Sequence, residues 1–362
     1  GCHVFVDKNS RTQLPNLKLD EMTPVWKIIS KFIGQDLTKV SMPVILNEPL
    51  SALQRTTELI ISGEARYRQA AETEDSLYRL VLTWVASIGG LYPVKYRKKK
   101  PFNAMLGETY ELVTEIIDVL RKGTAQSCPN QLFLAEGLGY KVWAYDKPNL
   151  KFRLYGGRGM VEIEPIGLHD VYYKKYDENI SISKPTILAK NIIFGGIFID
   201  FCGTSVVLNH KTGEKIEIQY LEKQSDGFKA ACKAVCMMPK ANKNMKFQGP
   251  IFQNHLENFA TGHEETIFAE PPMMANAHLQ FFYGPLAILM NYRSPEMEGV
   301  VAPTDSRFRM DNQLFEQGLL EDADIEKVEI EQQQRRQRKK MEQGEIPAFE
   351  PNFFKMVKHP FV

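Results

Sequence analysis

The chain has 362 residues, of which 25% are charged and 43% are hydrophobic, a balance typical of a globular protein with a sizeable core. Its formal net charge is +1, so no overall electrostatic field draws it to nucleic acid, and any function of its basic residues has to be local. No apolar run reaches the length of a membrane-spanning helix. The length fits one large domain or two ordinary ones.

The sequence carries no recognisable metal, cofactor or catalytic motif. Its five cysteines are odd in number and widely spaced, which argues against a disulfide framework. Cys232 and Cys236 lie four residues apart with no second Cys/His pair nearby, so reduced structural thiols are the favoured interpretation and a zinc site is the alternative. HExxH, P-loop, GxGxxG and GxSxG patterns are all missing from the sequence. We therefore expect no cofactor, no bound metal and no enzymatic activity.

The N-terminal part of the chain begins with a loop-like strip, SRTQLPNLKL, that contains Leu14 and Pro15. The next stretch, residues 23–33, predicts a helix in which Thr23 caps the N-terminus and Pro24 occupies the first turn. One face of this helix carries Val25, Ile28, Ile29, Phe32 and Ile33. We expect that face to pack on the core; the alternative is a helix that lies on a membrane surface.

The middle of the chain changes from helical to strand patterns. Residues 50–90 carry helical periodicity, whereas residues 105–260 alternate apolar and polar positions between turn signals. GGRG at 156–159 and NHKTGE at 209–214 predict hairpin turns. Strands that follow one another without intervening helices indicate an antiparallel meander or barrel, which can enclose a ligand cavity, and exclude a parallel α/β sheet.

Two basic features punctuate the chain. Residues 98–112, KKKPFNAMLGETYEL, set a block of lysines against a tight turn, which suits one anionic head group. Residues 319–343 predict a long charged helix whose acidic residues precede its basic ones, as the helix dipole favours. Lys327, Glu331 and Arg335 lie four residues apart on one face, where they can form ion pairs. On charge pattern alone, this helix is expected to be solvated.

A series of motifs gives the chain a family resemblance. They are LNEPLSALQR (46–55), KPFNAMLGETYE (100–111), LNHKTGEK (208–215), PTDSRFRMD (303–311) and the closing Lys/Arg-rich helix. In this order they resemble the ligand-binding domain of oxysterol-binding-protein-related proteins, over about residues 10 to 355. Each motif alone is modest, and the five in series make the resemblance specific.

The resemblance implies a fold that is mainly β with helices (α+β), a large antiparallel β-barrel enclosing an apolar tunnel. It also implies a lid that contains Leu14 and Pro15 and closes the tunnel. We accordingly expect a single domain over residues 1–362. Its parts are a lid and N-terminal segment (1–45), a helical region (46–100), a barrel core (101–260) and a C-terminal region with the charged helix (261–362).

The resemblance further implies where a lipid head group binds. Lys100 would contact it, with hydrogen bonds from the turn at Phe102 and Asn103. It also reverses the expectation for Lys327, Glu331 and Arg335, which are called the C-terminal ladder below. Lys327 and Arg335 become phosphate contacts, and Glu331 positions them. The other cations of the lysine block keep the expectation of solvated residues with at most a weak attraction to anionic membrane; they are Lys95, Arg97, Lys98 and Lys99.

One departure from the family pattern concerns the phosphate site. The family signature Glu-Gln-Val-Ser-His-His-Pro-Pro is missing, and this sequence has no His-His pair. The nearest ungapped register places Gln126 and Ser127 at the histidine positions and keeps Pro129. Neutral donors lack charge assistance worth about 1 kcal/mol or more per hydrogen bond, so two of them would weaken phosphoinositide binding roughly ten- to a thousandfold.

We therefore expect a lipid-binding and transfer protein that carries a sterol or similar lipid between membranes, with weakened or altered binding of phosphatidylinositol 4-phosphate. The alternative is a lipid sensor or scaffold at membrane contact sites without net transfer. Expected partners are a sterol or other lipid and transient membrane surfaces, with no nucleic acid. The expected location is the cytoplasm, peripherally on membranes.

Overall fold

The computed structural model describes residues 11–16, 42–92, 96–97, 99–113, 122–127, 130–155, 158–192, 197–221, 231–237, 246–250, 255–258, 263–266, 273–347 and 349. The predicted helix over 23–33 lies outside the described residues, as does most of the expected lid and N-terminal segment. The fold consists of a helical layer, a large antiparallel sheet and a C-terminal helical region.

Three helices follow the short strand β1 (Asn47–Ser51): α1 (Ala52–Ser62), α2 (Glu64–Glu72) and α3 (Ser76–Gly89). Ser51 and Gln54 form a capping box that starts α1, which explains the serine in the first motif. Gly63 joins α1 to α2 at a close approach, because a Cβ atom there would lie 2.3 Å from the carbonyl oxygen of Ala86 on α3. The predicted helical region over 50–90 is confirmed.

Fourteen further strands are described. They are β2 (Lys100–Phe102), β3 (Thr109–Tyr110), β4 (Lys122–Ser127), β5 (Asn130–Gly137), β6 (Tyr140–Tyr155), β7 (Arg158–Tyr173), β8 (Glu178–Ile182), β9 (Thr186–Lys190), β10 (Phe198–Asn209), β11 (Lys215–Leu221), β12 (Ala231–Met237), β13 (Lys246–Pro250), β14 (His255–Asn258) and β15 (His263–Thr266). β2 pairs with β1 in parallel, and the other thirteen form one sheet.

The large sheet is a meander. Its order runs β15-β14-β13-β12-β11-β10-β8-β7-β6-β5-β4-β3, with β9 paired to both β10 and β7. The pairs along this path are antiparallel. Because nearly every strand pairs with its neighbour in sequence, short hairpins suffice to connect them, and the predicted antiparallel sheet is confirmed.

The strands that flank both predicted hairpin turns are paired. β6 and β7 pair up to Tyr155 and Arg158, so two residues connect them, and those two lie outside the described residues. Between β10 and β11, the side-chain oxygen of Asn209 accepts hydrogen bonds from the backbone N–H groups of Lys211 (3.0 Å) and Thr212 (3.3 Å). This is the local bonding that makes asparagine a turn residue.

The C-terminal region contains α4 (Pro285–Met290), α5 (Met310–Glu316) and α6 (Leu320–Glu342), which matches the charged helix predicted over 319–343. Acidic residues occupy the first turn of α6 and basic residues its last turn, as the sequence indicates. Of the helices in the described ranges, none combines the length and the apolar character needed to cross a membrane.

The core lies between the helical layer and one face of the sheet. Trp84 of α3 is fully buried and donates from Nε1 to the hydroxyl of Tyr220 on β11 at 3.2 Å. The hydroxyls of Thr83 and Tyr173 form a hydrogen bond of 2.7 Å between α3 and β7. Buried tyrosines can therefore pack their rings in the core while their hydroxyls stay hydrogen-bonded.

Candidate functional site

The turn that follows the lysine block contains Lys100, Phe102 and Asn103 and is called the basic turn below. It is fixed to the body of the protein by β2. Lys100 pairs with Asn47 of β1, and the Asn47 side chain donates to the carbonyl oxygen of Pro101 at 3.1 Å. Phe102 is fully buried, with its ring 5.8 Å from that of Phe315 in an edge-to-face contact. Of the residues predicted to contact a head group, Phe102 thus places its side chain in the core and leaves only its backbone for a ligand.

A buried arginine holds the turn that follows. Arg309 donates from Nη1 to the carbonyl oxygen of Asn103 at 2.6 Å and to Glu108 at 2.8 Å, and from Nη2 to Asp311 at 2.7 Å. Burial alone would lower the pKa of Arg309, but the two carboxylates outweigh it and the pKa is raised. The Asn103 side chain stays exposed, so its backbone is fixed while its amide faces solvent.

Three of the sequence motifs meet at this turn. The Ser51 and Ser306 hydroxyls are 3.0 Å apart, and Ser306 Oγ donates to Glu108 at 2.6 Å. These residues come from the first, fourth and second motif in sequence order. The motifs therefore build one buried polar network that positions the basic turn.

The expectation that Arg97 is solvated is wrong. Arg97 is buried and makes two hydrogen bonds to the Glu58 carboxylate, at 2.7 and 2.6 Å, with its guanidinium 4.4 Å from the centroid of the Tyr283 ring. Arg55 and Glu48 complete a buried group of two cations and two anions. The distance from Arg55 Nη1 to Glu48 Oε1 is 3.2 Å. A block of like charges in sequence does not show which cation meets a carboxylate 39 residues away.

The other cations of the lysine block differ from Arg97. The Lys99 ammonium lies 5.0 Å from the centroid of the Phe281 ring, and Lys100 is half-buried at the start of β2. Lys95 and Lys98 lie outside the described residues. In the predicted cluster, Arg97 therefore belongs to a buried ion pair, Lys99 to a cation–aromatic contact and Lys100 to the basic turn.

The C-terminal ladder has the predicted spacing and ion pairs. Lys327 Nζ donates to Glu331 at 2.7 Å, and Arg335 pairs with the other oxygen of Glu331 at 3.4 Å. Lys327 is only 3% exposed and also donates to the carbonyl oxygen of Met42 at 2.7 Å, whereas the Arg335 side chain is 56% exposed. One end of the ladder is thus part of the packing and the other is accessible to a ligand.

The ladder and the basic turn lie at the same end of the β1–β2 pair. These strands are parallel, and Asn47 at the start of β1 is opposite Lys100. Met42, which contacts Lys327, precedes Asn47 by five residues, a span of at most about 18 Å. Lys327 therefore lies on the side of the pair where β1 and β2 begin, and the role of the ladder and the basic turn as head-group contacts stays a prediction.

The residues at the expected histidine positions lie at a strand end. Ser127 is the last residue of β4 and pairs with Asn130 across a two-residue connection, after a register shift that begins at Ala125. The side chains of Gln126 and Ser127 lie outside what the structure describes. The backbone places both near the β4–β5 turn, and their contact with a phosphate stays a prediction.

The expected lid residues are held by the C-terminal region. Leu14 is buried, and its N–H donates to the Gln280 side chain at 2.9 Å. Arg11 makes two hydrogen bonds to Glu316, at 2.8 and 2.6 Å. Pro15 is exposed. Residues 11–16 therefore form an anchored segment, and closure of a tunnel by the residues around it stays a prediction.

The sheet carries an apolar inner face that extends past the helices. Along β6 the even-numbered residues face inward, and Val142 and Ala144 are buried there. Further along the same face, Leu150 is 53% exposed and Phe152 is 43% exposed. Their cross-strand partners on β7 are Ile163 and Val161. An apolar surface thus remains uncovered on the inside of the sheet, and the period-two alternation of β6 was its sequence signal.

A cavity lies where this inner face meets the helical layer. It contains about 510 Å³ of space free of protein atoms, including the solvent at its mouth. Its apolar lining includes Leu59, Ile88, Leu91 and Ala144. Ala144 also belongs to the inner face of β6, so the cavity lies on the same face as Leu150 and Phe152, with Asp146 and Pro148 between them. The part of this space that the centre of a water molecule can occupy is only about 40 Å³, so the cavity itself has room for a few water molecules or one polar group of a ligand. It is much smaller than the roughly 300–1,000 Å³ of sites that enclose a whole ligand.

The cavity also presents neutral polar atoms. His169 Nε2 lies 3.2 Å from the Tyr67 hydroxyl, while His169 Nδ1 and Ser205 Oγ have no hydrogen-bond partner in the described part of the protein. Burial, and to a smaller extent Lys184, lowers the pKa of His169 to about 3, against the opposite effect of Asp146. His169 is therefore neutral at pH 7.

Lys184, which also lines the cavity, is not an isolated charge. Its ammonium lies 2.8 Å from the Asp146 carboxylate, so the pair carries no net charge. The cavity can therefore accept a ligand hydroxyl among uncharged partners. Neither His169 nor Ser205 stands out in the sequence, since a lone histidine or serine in a strand is usually part of the packing.

Strand geometry excludes the zinc alternative for Cys232 and Cys236. Both lie on β12, where they pair with Tyr220 and Ile216. Four residues of strand span about 13 Å, whereas two thiolates on one zinc ion must each approach it to about 2.3 Å. Among the residues that the structure describes, no group of three or more metal-ligating side chains comes together.

Comparison with known sequences gives a consistent match. The family model described as "Oxysterol-binding protein" matches residues 24–362. The chain is 31% identical to human oxysterol-binding protein-related protein 6, over 92% of the chain and 35% of that protein. It is 29% identical to oxysterol-binding protein-related protein 1B of Arabidopsis thaliana, over 94% of the chain and 70% of that protein.

The chain is shorter than its human relatives. It is 27% identical to human oxysterol-binding protein-related protein 1, over 93% of the chain but only 40% of that protein. The match to related protein 6 likewise covers only about a third of the relative.

Solved structures share the fold. The Osh3 ORD of Saccharomyces cerevisiae in complex with PI(4)P superposes with a TM-score of 0.80 at 25% identity, covering 96% of this chain and 91% of that one. The Osh1 ORD domain in complex with ergosterol gives a TM-score of 0.86 at 24% identity, covering 98% and 88%. The Osh1 similarity concerns the fold alone, and together these likenesses confirm the predicted class of a mainly antiparallel sheet with helices.

Proposed function

Because the chain belongs to the oxysterol-binding protein family, we propose that it holds a sterol or similar lipid on the inner face of its sheet and moves that lipid between membranes. The observation that carries this proposal is the uncovered apolar surface at Leu150 and Phe152, on the same face of β6 as Ala144, which lines a cavity with neutral polar atoms. An amphiphile with a rigid apolar body and one hydroxyl fits that arrangement.

The cavity chemistry supports a neutral lipid as the main cargo. His169 is uncharged at pH 7, Ser205 can donate or accept, and Lys184 is neutralised by Asp146. An anionic group would find no net positive charge there, whereas a hydroxyl could use His169 Nδ1 or Ser205 Oγ. The Osh1 ORD complexes with ergosterol and with cholesterol agree with this choice.

A second ligand is an anionic phospholipid with its head group outside the cavity. The Osh3 ORD structure holds PI(4)P. A site formed by Lys100 and the Lys327–Glu331–Arg335 ladder is supported by two contacts near the start of β1, Lys100 with Asn47 and Lys327 with Met42. We propose that this site is retained but weaker than in relatives with the histidine pair. Gln126 and Ser127, at the aligned positions, supply neutral donors only.

The proposed protein acts at membranes from the cytoplasm, as a peripheral protein that binds lipid without transforming it. The missing His-His pair favours one other function, a lipid sensor or scaffold at membrane contact sites without net transfer. Lipid extraction separates the two, because a transfer protein removes its cargo from a vesicle and a scaffold leaves it there.

A pair of substitutions on neighbouring residues tests the main proposal. Phe152→Gln places an amide on the inner face, whereas Arg153→Gln places the same amide on the opposite face, where Arg153 pairs with Glu162. A sterol on the inner face would bury the exposed phenyl ring of Phe152. Loss of that ring should therefore weaken binding of a fluorescent sterol about ten- to a hundredfold. Arg153→Gln should bind like the wild type.

Native mass spectrometry of the purified protein gives an independent measurement. We expect a co-purifying lipid in the wild type and in Arg153→Gln, and reduced occupancy in Phe152→Gln. Wild-type protein that neither binds a sterol saturably nor carries a lipid of any class would exclude the proposed function. Equal effects of the two substitutions would exclude the inner face as the site.

A further inference from the structure

The C-terminal helix α6 carries a continuous exposed face that the lipid site does not use. Ile325 is 66% exposed and Val328 is 36% exposed, although both are large and apolar. Gln332, Arg336 and Lys339 follow at steps of four, four and three residues and are exposed as well. Steps of three and four residues place side chains on one side of a helix. These five residues are called the docking face below.

The other side of α6 packs against the protein. Ala323 is fully buried, Lys327 bonds to Met42, and Asp324 accepts from the N–H of Val44 at 2.7 Å. These contacts hold the first half of α6 and leave the docking face toward solvent. Residues 335–340 are all exposed, so the basic second half of the helix stands clear of the body.

The cations of this second half differ from several lysines on and beside the sheet. Lys151, Lys174 and Lys184 each pair with a carboxylate within 3.0 Å. Within the described ranges, Arg336 and Lys339 form no ion pair, and neither do their neighbours Arg338 and Lys340. The exposed glutamates of α6 that are nearest to the apolar pair, Glu321 and Glu329, lie in the first half of the helix. The unneutralised cations of the second half share a helix face with Ile325 and Val328, and this combination matches the chemistry of an anionic lipid surface.

We propose that the docking face binds the surface of a bilayer that contains anionic lipids. Arg336 and Lys339 would lie against the head groups, and Ile325 and Val328 would enter the boundary between head groups and acyl chains. This step rests on the proposed lipid transfer, which requires contact with a membrane. It also brings Arg335, next to Arg336, to the surface from which an anionic lipid would be taken.

The experiment measures binding to vesicles by co-sedimentation. The vesicles are phosphatidylcholine alone or phosphatidylcholine with about 30% phosphatidylserine, enough to give the anionic surface that attracts basic segments. The test variant carries Arg336→Gln and Lys339→Gln. A matched control carries Lys147→Gln and Lys175→Gln, which remove the same charge from exposed positions on β6 and after β7. A third variant, Ile325→Ser with Val328→Ser, tests the apolar part.

Wild-type protein should bind the anionic vesicles in preference to the neutral ones and lose that binding as salt is raised. Each removed cation should weaken binding about fivefold, so the test variant should lose about 25-fold while the control stays within about twofold. The apolar variant should lose about tenfold. Sterol occupancy by native mass spectrometry should be the same in all four proteins, because none of these residues lines the cavity.

Three results would overturn the docking face. One is equal binding of the wild type to neutral and anionic vesicles, and another is wild-type binding by the test variant. The third is an equal loss in the control, which would show an effect of net charge alone. Each of these leaves the sterol measurement unaffected, so the docking face can fail while lipid binding stands. Conversely, a protein that carries no lipid but still binds the anionic vesicles would support the docking face and contradict the proposed lipid binding.

Discussion

The ammonium group of Lys327 lies 2.7 Å from the carbonyl oxygen of Met42 and 2.7 Å from the Glu331 carboxylate. A single buried side chain thus joins α6 to the chain just before β1, across 285 residues of sequence. The ladder that resembles a phosphate site is therefore also a structural contact, and the two roles have to be separated by experiment.

Replacing Lys327 by Met should destabilise the protein. The substitution removes hydrogen bonds of a charged donor and leaves the Met42 carbonyl without this partner, which should lower the free energy of unfolding by about 1.5–3 kcal/mol. Urea denaturation measures it. Arg335→Gln is the control and should change stability by less than about 0.5 kcal/mol, because exposed ion pairs contribute little. Equal effects of the two would mean that the Lys327 contacts do not stabilise the fold.

Lys100→Ala should weaken extraction of phosphatidylinositol 4-phosphate from vesicles about ten- to a hundredfold, the value of one charge-assisted hydrogen bond. Sterol extraction should be nearly unchanged. Lys99→Ala is the matched control, since the neighbouring ammonium lies over the Phe281 ring. Loss of both lipids in Lys100→Ala would indicate a folding defect, and an equal loss in Lys99→Ala would refute the assignment of Lys100.

Gln126→His combined with Ser127→His should strengthen phosphoinositide extraction tenfold or more, because two neutral donors become charge-assisted ones when protonated. Extraction at fixed salt is the measurement, as head-group attraction is screened. A control that carries Thr124→His and Ala125→His keeps a histidine pair but moves it away from both positions, and it should give no gain. Wild-type protein that already extracts this lipid as well as relatives do would contradict the aligned positions.

The buried His169 should make the protein sensitive to acid. Its pKa is lowered to about 3 in the fold, so between that value and its unfolded pKa of about 6.5 the unfolded state binds more protons. His169 by itself therefore lowers stability as the pH drops below 6.5, by about 1.4 kcal/mol at pH 5.5. The Glu58 carboxyl, whose pKa burial raises to about 7, contributes in the opposite direction, so the share of His169 has to be measured with a variant. Urea denaturation at pH 7.5 and 5.5 measures the difference.

In His169→Gln, the difference in unfolding free energy between pH 7.5 and pH 5.5 should lack the contribution of about 1.4 kcal/mol from His169. This holds whatever the substitution does to stability at pH 7.5. Substitution of the exposed His278 by Gln should leave the loss as in the wild type. An undiminished loss in His169→Gln would show that other groups produce the acid sensitivity.

The elements and the class of fold follow from the sequence by itself. The charged helix expected over 319–343 is Leu320–Glu342, and the NHKTGE turn forms where Asn209 predicts it. The alternation along β6 predicts a strand with one apolar face. These features depend on hydrogen bonds and side-chain periods within a few residues of one another, so a local pattern is sufficient to specify them.

Only the tertiary structure decided how those elements are used. It paired Arg97 with Glu58 against the expectation of a solvated block, and it placed the neutral His169 and Ser205 at one cavity with Tyr67. A pattern shows which side of a strand or helix is apolar, but it does not show which distant group lies opposite. Burial, electrostatic pairing and cavity shape depend on contacts between residues far apart in sequence, and these exist only once the chain has folded.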